Sequence, residues 1–137
     1  MQDITNALES AVKTTIDAAG FSITVLAGQS GETKELPAVR VYAADGREEP
    51  SGSGNFHLTL EVEVRSNAAD TALADHRTMC RNVFGVMMQD DLAATLSAAE
   101  SDFLAFGFHD RQASENREDD SWISTLKMDV YCASIDG

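Results

Sequence analysis

The clearest pattern in the chain lies in FHLTLEVEV. There Phe56, Leu58, Leu60, Val62 and Val64 alternate with His57, Thr59, Glu61 and Glu63. A period of two predicts an antiparallel strand with one face in a core and the other in solvent or against a partner. A different period governs residues 3–19. Ile4, Leu8, Ala11, Val12, Ile16 and Ala19 recur at steps of three and four, the stripe of an amphipathic helix. Asp3 is placed to cap its start, and Gly20 supplies the left-handed residue that ends it.

Between these two elements FSITVLA predicts a short β-branched strand, and GQSGETKEL a glycine-rich loop. PAVRVYAAD then restarts extended chain, with Pro37 at its edge. ADGREEPSGSGN, from Ala44 to Asn55, consists of turn formers and charge, and is expected to protrude.

After the alternating strand a helix is expected from Asn67 to about Met88. Its buried side carries Ala72, Leu73, His76, Met79, Cys80, Val83, Phe84 and Met87, and Asp70 falls in its first turn. Asp90 or Asp91 is placed to cap a shorter helix with Leu92, Leu96 and Ala99. DFLAFGFHDR predicts a strand with Leu104, Phe106 and Phe108 on one face. In SWISTLKMDVYCAS, Trp122, Leu126, Met128, Val130 and Cys132 face one way, and Ile123, Thr125, Lys127, Asp129 and Tyr131 the other. The element order is α-β-β-β-α-α-β-β. It predicts an α+β fold, a mostly antiparallel sheet of about five strands with helices packed on one face. At 137 residues one domain over 1–137 is the simplest organisation.

Charge narrows the function classes. Twenty-three acids against ten bases give a formal net charge of −13. Tight binding of bare nucleic acid needs clustered Lys and Arg, and no such cluster exists here. A strongly acidic protein stays soluble and repels DNA that passes close by. No apolar run approaches the ~20 residues that span a bilayer. MQDITNALES lacks the basic and apolar regions of a secretory signal, so assembly in the cytoplasm is expected. Cys80 and Cys132 lie far apart on apolar stripes and read as two buried thiols.

Motifs for chemistry are sparse. GQSGETKE lacks the spacing of a phosphate-binding loop, and no serine sits in a nucleophile elbow. His57, His76 and His109 fall on different elements, and His76 is expected to make one hydrogen bond at the edge of the core. Asp110–Asp120, which contains SENREDD, is acidic enough to suggest calcium but has no glycine and no alternating ligand pattern, so it reads as a solvated hairpin tip. No catalytic, cofactor or metal residues are therefore assigned, and the expectation is a protein that is not an enzyme.

The order of elements resembles the tail-terminator and tail-completion proteins of long-tailed bacteriophages. The resemblance runs over residues 3–134 and is carried by LEVEVRS, ADHR, DHRTMCRNVFGVM and the closing TLKMDVYC. It implies a virion protein that forms a ring, commonly a hexamer, on the head-proximal end of the tail tube. Such a ring stops tube growth and joins tail to head. Its partners would be copies of itself, the tail tube protein, head–tail connector proteins, and genomic DNA passing through the lumen without specific binding. Ring closure needs heterologous contacts. The candidate contact residues are Arg47, Glu48 and Glu49 in the Ala44–Asn55 turn, and Glu61, Glu63 and Arg65 on the outward row of the alternating strand. Arg77 and Arg81, one helical turn apart, and Arg111, Glu115, Arg117, Glu118, Asp119 and Asp120 in the acidic hairpin complete the set. Acids are expected to favour the lumen. The alternatives are another neck or tail-tube-like protein, a small cytoplasmic binding module whose acidic turn holds a divalent ion, or a homodimer using the exposed face of the alternating strand.

Overall fold

The computed structural model describes residues 4–21, 23–28, 36–48, 52–100 and 103–134. The expected cap Asp3, most of the GQSGETKEL loop, and Glu49 lie outside them. The elements are α1 (Ile4–Ala18), β1 (Thr24–Ala27), β2 (Ala38–Glu48), β3 (Asn55–Asn67), α2 (Leu73–Val86), α3 (Leu92–Ala99), β4 (Phe103–Glu118) and β5 (Ser121–Ser134). The architecture is α+β, in the order the hydrophobic pattern predicts. Five strands form one sheet in the order β1-β2-β3-β5-β4; β1 runs parallel to β2 and every other pair is antiparallel.

The alternation in β3 sets the two faces of the sheet. Leu58, Leu60, Val62 and Val64 are fully buried, and they meet Val39, Val41 and Ala43 of β2 and Leu126, Met128, Val130 and Cys132 of β5. Helices cover this face. Leu8, Ala11, Val12 and Ile16 of α1, Cys80 and Val83 of α2, and Leu92 and Leu96 of α3 close the core. Ala19 and Ala72, expected on the buried stripes, are exposed. Each lies just beyond its helix, where the 3.6-residue period no longer applies. Gly20 has φ +76 and terminates α1 as expected.

Two boundaries and one cap differ from the sequence reading. The second helix begins at Leu73, not Asn67. Asn67 instead builds a turn: its side-chain Oδ1 accepts from Ala69 N at 2.9 Å and its carbonyl from Thr71 N at 2.9 Å. Asp70 thus precedes the helix, and Asp75 is the first-turn acid. Asp91 occupies the N-cap of α3 but makes no side-chain capping bond. The Ala44–Asn55 turn is shorter than expected, because β2 continues to Glu48 across a register shift between Ala44 and Arg47.

The largest difference is β4, which extends to Glu118. Asp110–Glu118 is therefore not a hairpin tip. It is the outer strand of the sheet, turning into β5 through Asp119 and Asp120 alone. Asp119 has φ +54, the left-handed backbone such a short turn requires. Two register shifts interrupt β4, between Ala105 and Gly107 and between His109 and Gln112. The first leaves Phe106 unpaired, so the expected face of Leu104, Phe106 and Phe108 does not exist. Phe103 and Ala105 are buried, Phe108 returns to the core side, and Leu104 and Phe106 are exposed.

Helices also finish the sheet edges. Gly28 N donates to Val41 O at 2.7 Å, the last bond between β1 and β2. Two residues on, Ala43 N donates to the buried Glu9 carboxylate of α1 at 2.9 Å. At the opposite edge Ala105 N donates to Ser97 Oγ of α3, also at 2.9 Å. Glu9→Ala removes an acceptor and leaves a buried N–H unmatched, so a loss of about 1–3 kcal/mol is expected. Glu9→Gln keeps an acceptor oxygen and should lose less; urea unfolding of the two variants measures the difference.

Candidate assembly surface

The uncovered face of the sheet is built from alternate residues of four strands, and strand register determines which of them meet. Arg40 lies opposite Glu63, and Glu63 opposite Thr125. Tyr42, Glu61, Lys127 and Gln112 form the next row, and Thr59, Asp129 and His109 the one after. Arg47, His57 and Tyr131 form the last. Arg65 lies at the other end, with its Nε 3.3 Å from Glu63 Oε1.

This face departs from the charge of the chain. It carries Arg40, Arg47, Arg65 and Lys127 against Glu61, Glu63, Glu118 and Asp129, which leaves six bases and nineteen acids for everything else. A sheet face on which bases and acids balance, on a chain of net charge −13, is an electrostatically distinct surface.

The second surface is the distal half of β4. Every residue from His109 to Asp120 is exposed, and β4 is the last strand of the sheet. The segment is nevertheless held in place. Arg77 of α2 grips Glu115 with two charge-assisted hydrogen bonds, Nε at 2.8 Å and Nη2 at 2.7 Å. This contact raises the Arg77 pKa and lowers that of Glu115, through the hydrogen bond first and the ion pair second. Arg117 lies over the Trp122 ring at 4.9 Å, and Arg111 over Phe108 at 5.5 Å. The tip is tied back as well: Ala68 N donates to Asp120 O at 2.6 Å, and Trp122 Nε1 to Thr71 O at 3.0 Å.

The candidate contact residues thus fall into separate groups. Glu61, Glu63 and Arg65 share the open face with Arg47. Glu115 and Arg117 point to the helix side of β4, while Glu118 lies on the open side. Arg77, expected to reach a neighbour's acid, pairs with Glu115 of its own chain; Arg81 is exposed one turn further along α2. Glu48 closes the β2–β3 turn by accepting from Gly52 N at 2.7 Å and Gly54 N at 2.9 Å. Arg40, Tyr42, Lys127 and Asp129 are members of the open face that the sequence reading did not select. Their signal was the polar alternation in PAVRVYAAD and STLKMDVY, read as a strand pattern and not as a surface.

The core holds a polar group that resembles catalytic machinery. His76 is fully buried, with Nδ1 2.6 Å from Ser66 Oγ and Nε2 3.0 Å from Ser124 Oγ; Cys80 Sγ is 3.4 Å from Nε2. The expectation of one hydrogen bond at the core's edge is corrected: both ring nitrogens are bonded, deep inside. Burial lowers the His76 pKa from 6.5; Glu115 opposes this and Arg77 adds to it. A neutral ring donates at one nitrogen and accepts at the other, which two hydroxyls can satisfy. Ser66 and His76 have no exposed surface, so this arrangement gives a reactant no approach. Burial also raises both thiols, that of Cys132 to about 12, which leaves them poor nucleophiles. Among the described residues no three His, Cys, Asp or Glu side chains gather as metal ligands, and no helix is long and apolar enough to cross a membrane.

No protein-family profile and no curated protein matches the sequence. The fold is similar to that of a chain in the virion of a native gene transfer agent particle. The TM-score is 0.56 at 16% identity, over 98% of this chain and 100% of that one. At this identity the likeness concerns the fold. It spans the helices and the sheet together, including the strands that carry both surfaces described above.

Proposed function

We propose that this protein is a structural component of a phage-like virion, a ring-forming subunit at the head-proximal end of the tail tube. There it ends tube growth and joins tail to head. The observation that carries this reading is the end-to-end likeness in fold to a chain of a gene transfer agent virion. The tail-terminator pattern in the sequence supports the finer assignment.

The two surfaces supply what a ring needs. Distal β4 offers a rigid outer strand edge, and the near-neutral sheet face offers a row of alternating charges, so two unlike patches can meet in heterologous contact. Arg47, Glu61, Glu63 and Arg65 are assigned to the sheet-face contact, and Arg111, Glu115, Arg117, Glu118, Asp119 and Asp120 to the strand-edge contact. Arg81, and Glu48 with Glu49 at the β2–β3 turn, are assigned to neighbours above or below. The acids that belong to none of these contacts are the ones assigned to the lumen, where they keep DNA from adhering.

Negative-stain imaging and native mass measurement of the purified protein, alone and with tail tubes, test the reading. Closed rings, or density capping tube ends, are expected. A protein that stays monomeric at all concentrations and binds no tube end would overturn it.

A further inference from the structure

His57 makes three contacts on the open face that do not tolerate the same protonation state. Its ring stacks on Tyr131 of β5, with centroids 4.6 Å apart and planes 11° from parallel. Arg47 Nη2 of β2 lies 3.2 Å from Nδ1. Asp129 Oδ1 of β5 lies 3.6 Å from Nε2, within ion-pair reach but too far for a good hydrogen bond. Nε2 is hidden from solvent and has no hydrogen-bond partner. Thr59 of β3 is the next residue on the same face, and His109 of β4 meets Tyr131 edge-on at 5.2 Å.

A guanidinium only donates, so Nδ1 must be the acceptor, and the single proton of the neutral ring is on Nε2. That proton points toward Asp129 without reaching it. A second proton can enter only at Nδ1, the position Arg47 occupies. The imidazolium then presents an N–H to an N–H donor and a positive charge to a guanidinium, while its Nε2–H gains an ionic acceptor in Asp129. A metal ion at Nε2 meets the same obstacle, since it would force the remaining proton onto Nδ1 against Arg47.

We propose that His57 is a proton-operated latch on the β2–β3 hairpin: neutral, it holds Arg47 through Nδ1; protonated, it gives up that contact and pairs with Asp129. The consequence is local and mechanical. Arg47 is the first paired residue after the register shift in β2, so its side-chain contact with His57 fastens the end of the hairpin beyond the irregularity. Protonation of the ring loosens that end and redirects one cation of the open face. The latch does not depend on the ring assignment.

Imidazole ¹⁵N–¹H spectra of the whole chain, with His57 identified through His57→Gln, test this directly. At pH 8 the neutral ring should be the Nε2–H tautomer. In Arg47→Ala the transition to the doubly protonated ring should move to higher pH, because a cation beside the ring is gone. In Asp129→Asn it should move to lower pH. Both side chains lie on the open face, and unchanged backbone amide spectra would establish that the variants are folded. An Nδ1–H tautomer at pH 8, or an Arg47→Ala transition that stays in place or falls, overturns the latch.

Discussion

His76→Ala should cost about 3–5 kcal/mol of folding stability, among the largest effects of any single substitution in the chain. Two terms add. Removing a fully buried ring opens a cavity, and the hydroxyls of Ser66 and Ser124 each lose a partner inside the core. Domains of this size are stable by only ~5–15 kcal/mol, so much of the folded population is at stake. Equilibrium urea unfolding at pH 7.5 measures the loss. The combined variant Ser66→Ala, His76→Leu, Ser124→Ala replaces the ring and both hydroxyls with apolar groups and should recover most of it. A His76→Ala loss below about 1 kcal/mol would mean that the network is not a structural element of the core.

The same residue gives a pH dependence whose sign is fixed. Burial holds the His76 pKa below 6.5 in the folded chain. Below that pH the unfolded chain therefore binds more protons than the folded one. The contribution is fully present above about pH 6.5 and is lost progressively as the pH falls toward the lower folded value. Stability of the wild type should decline through this window, and more steeply than that of the apolar triple variant.

Leu60→Ala and Glu61→Ala should separate folding from assembly at neighbouring positions. Leu60 is fully buried, pairs in register with Ala43 and Met128, and belongs to the core under the helices. Its truncation should cost about 2–5 kcal/mol. Glu61 points to the open face between Tyr42 and Lys127, and its truncation should change stability by less than about 1 kcal/mol. If the open face is a subunit contact, Glu61→Ala should nonetheless shift the oligomer distribution seen by native mass measurement. A monomeric Leu60→Ala of unchanged stability, or a Glu61→Ala that unfolds, would reverse the two faces of the strand.

Local pattern was enough for the helices and most strands because each signal is contained within one element. The alternation in FHLTLEVEV places Leu60 and Glu61 on opposite faces wherever the strand goes. The stripe from Ile4 to Ile16 needs only one apolar side to pack. The failures share a different cause. SENREDDSW has the composition of a loop, yet Glu115 is held by Arg77, 38 residues away in sequence, and Arg117 by the indole of Trp122. Acidic turn formers become strand when a neighbouring strand and a helix supply their partners. Asn67 failed in the opposite sense: its side chain bonds the chain just beyond it and postpones the helix.

The sequence by itself determined which residues are apolar, at what period, and therefore the order of elements, the two faces of β3 and β5, and an acidic chain without a phosphate loop or a nucleophile motif. Only the tertiary structure decided which polar residues stand side by side. The row Tyr42, Glu61 and Lys127, the Ser66–His76–Ser124 network and the opposed demands of Arg47 and Asp129 on His57 all join residues from separate strands or helices. Periodicity says which way a side chain faces. Register, set by long-range backbone hydrogen bonds and shifted by each bulge, says what it meets there.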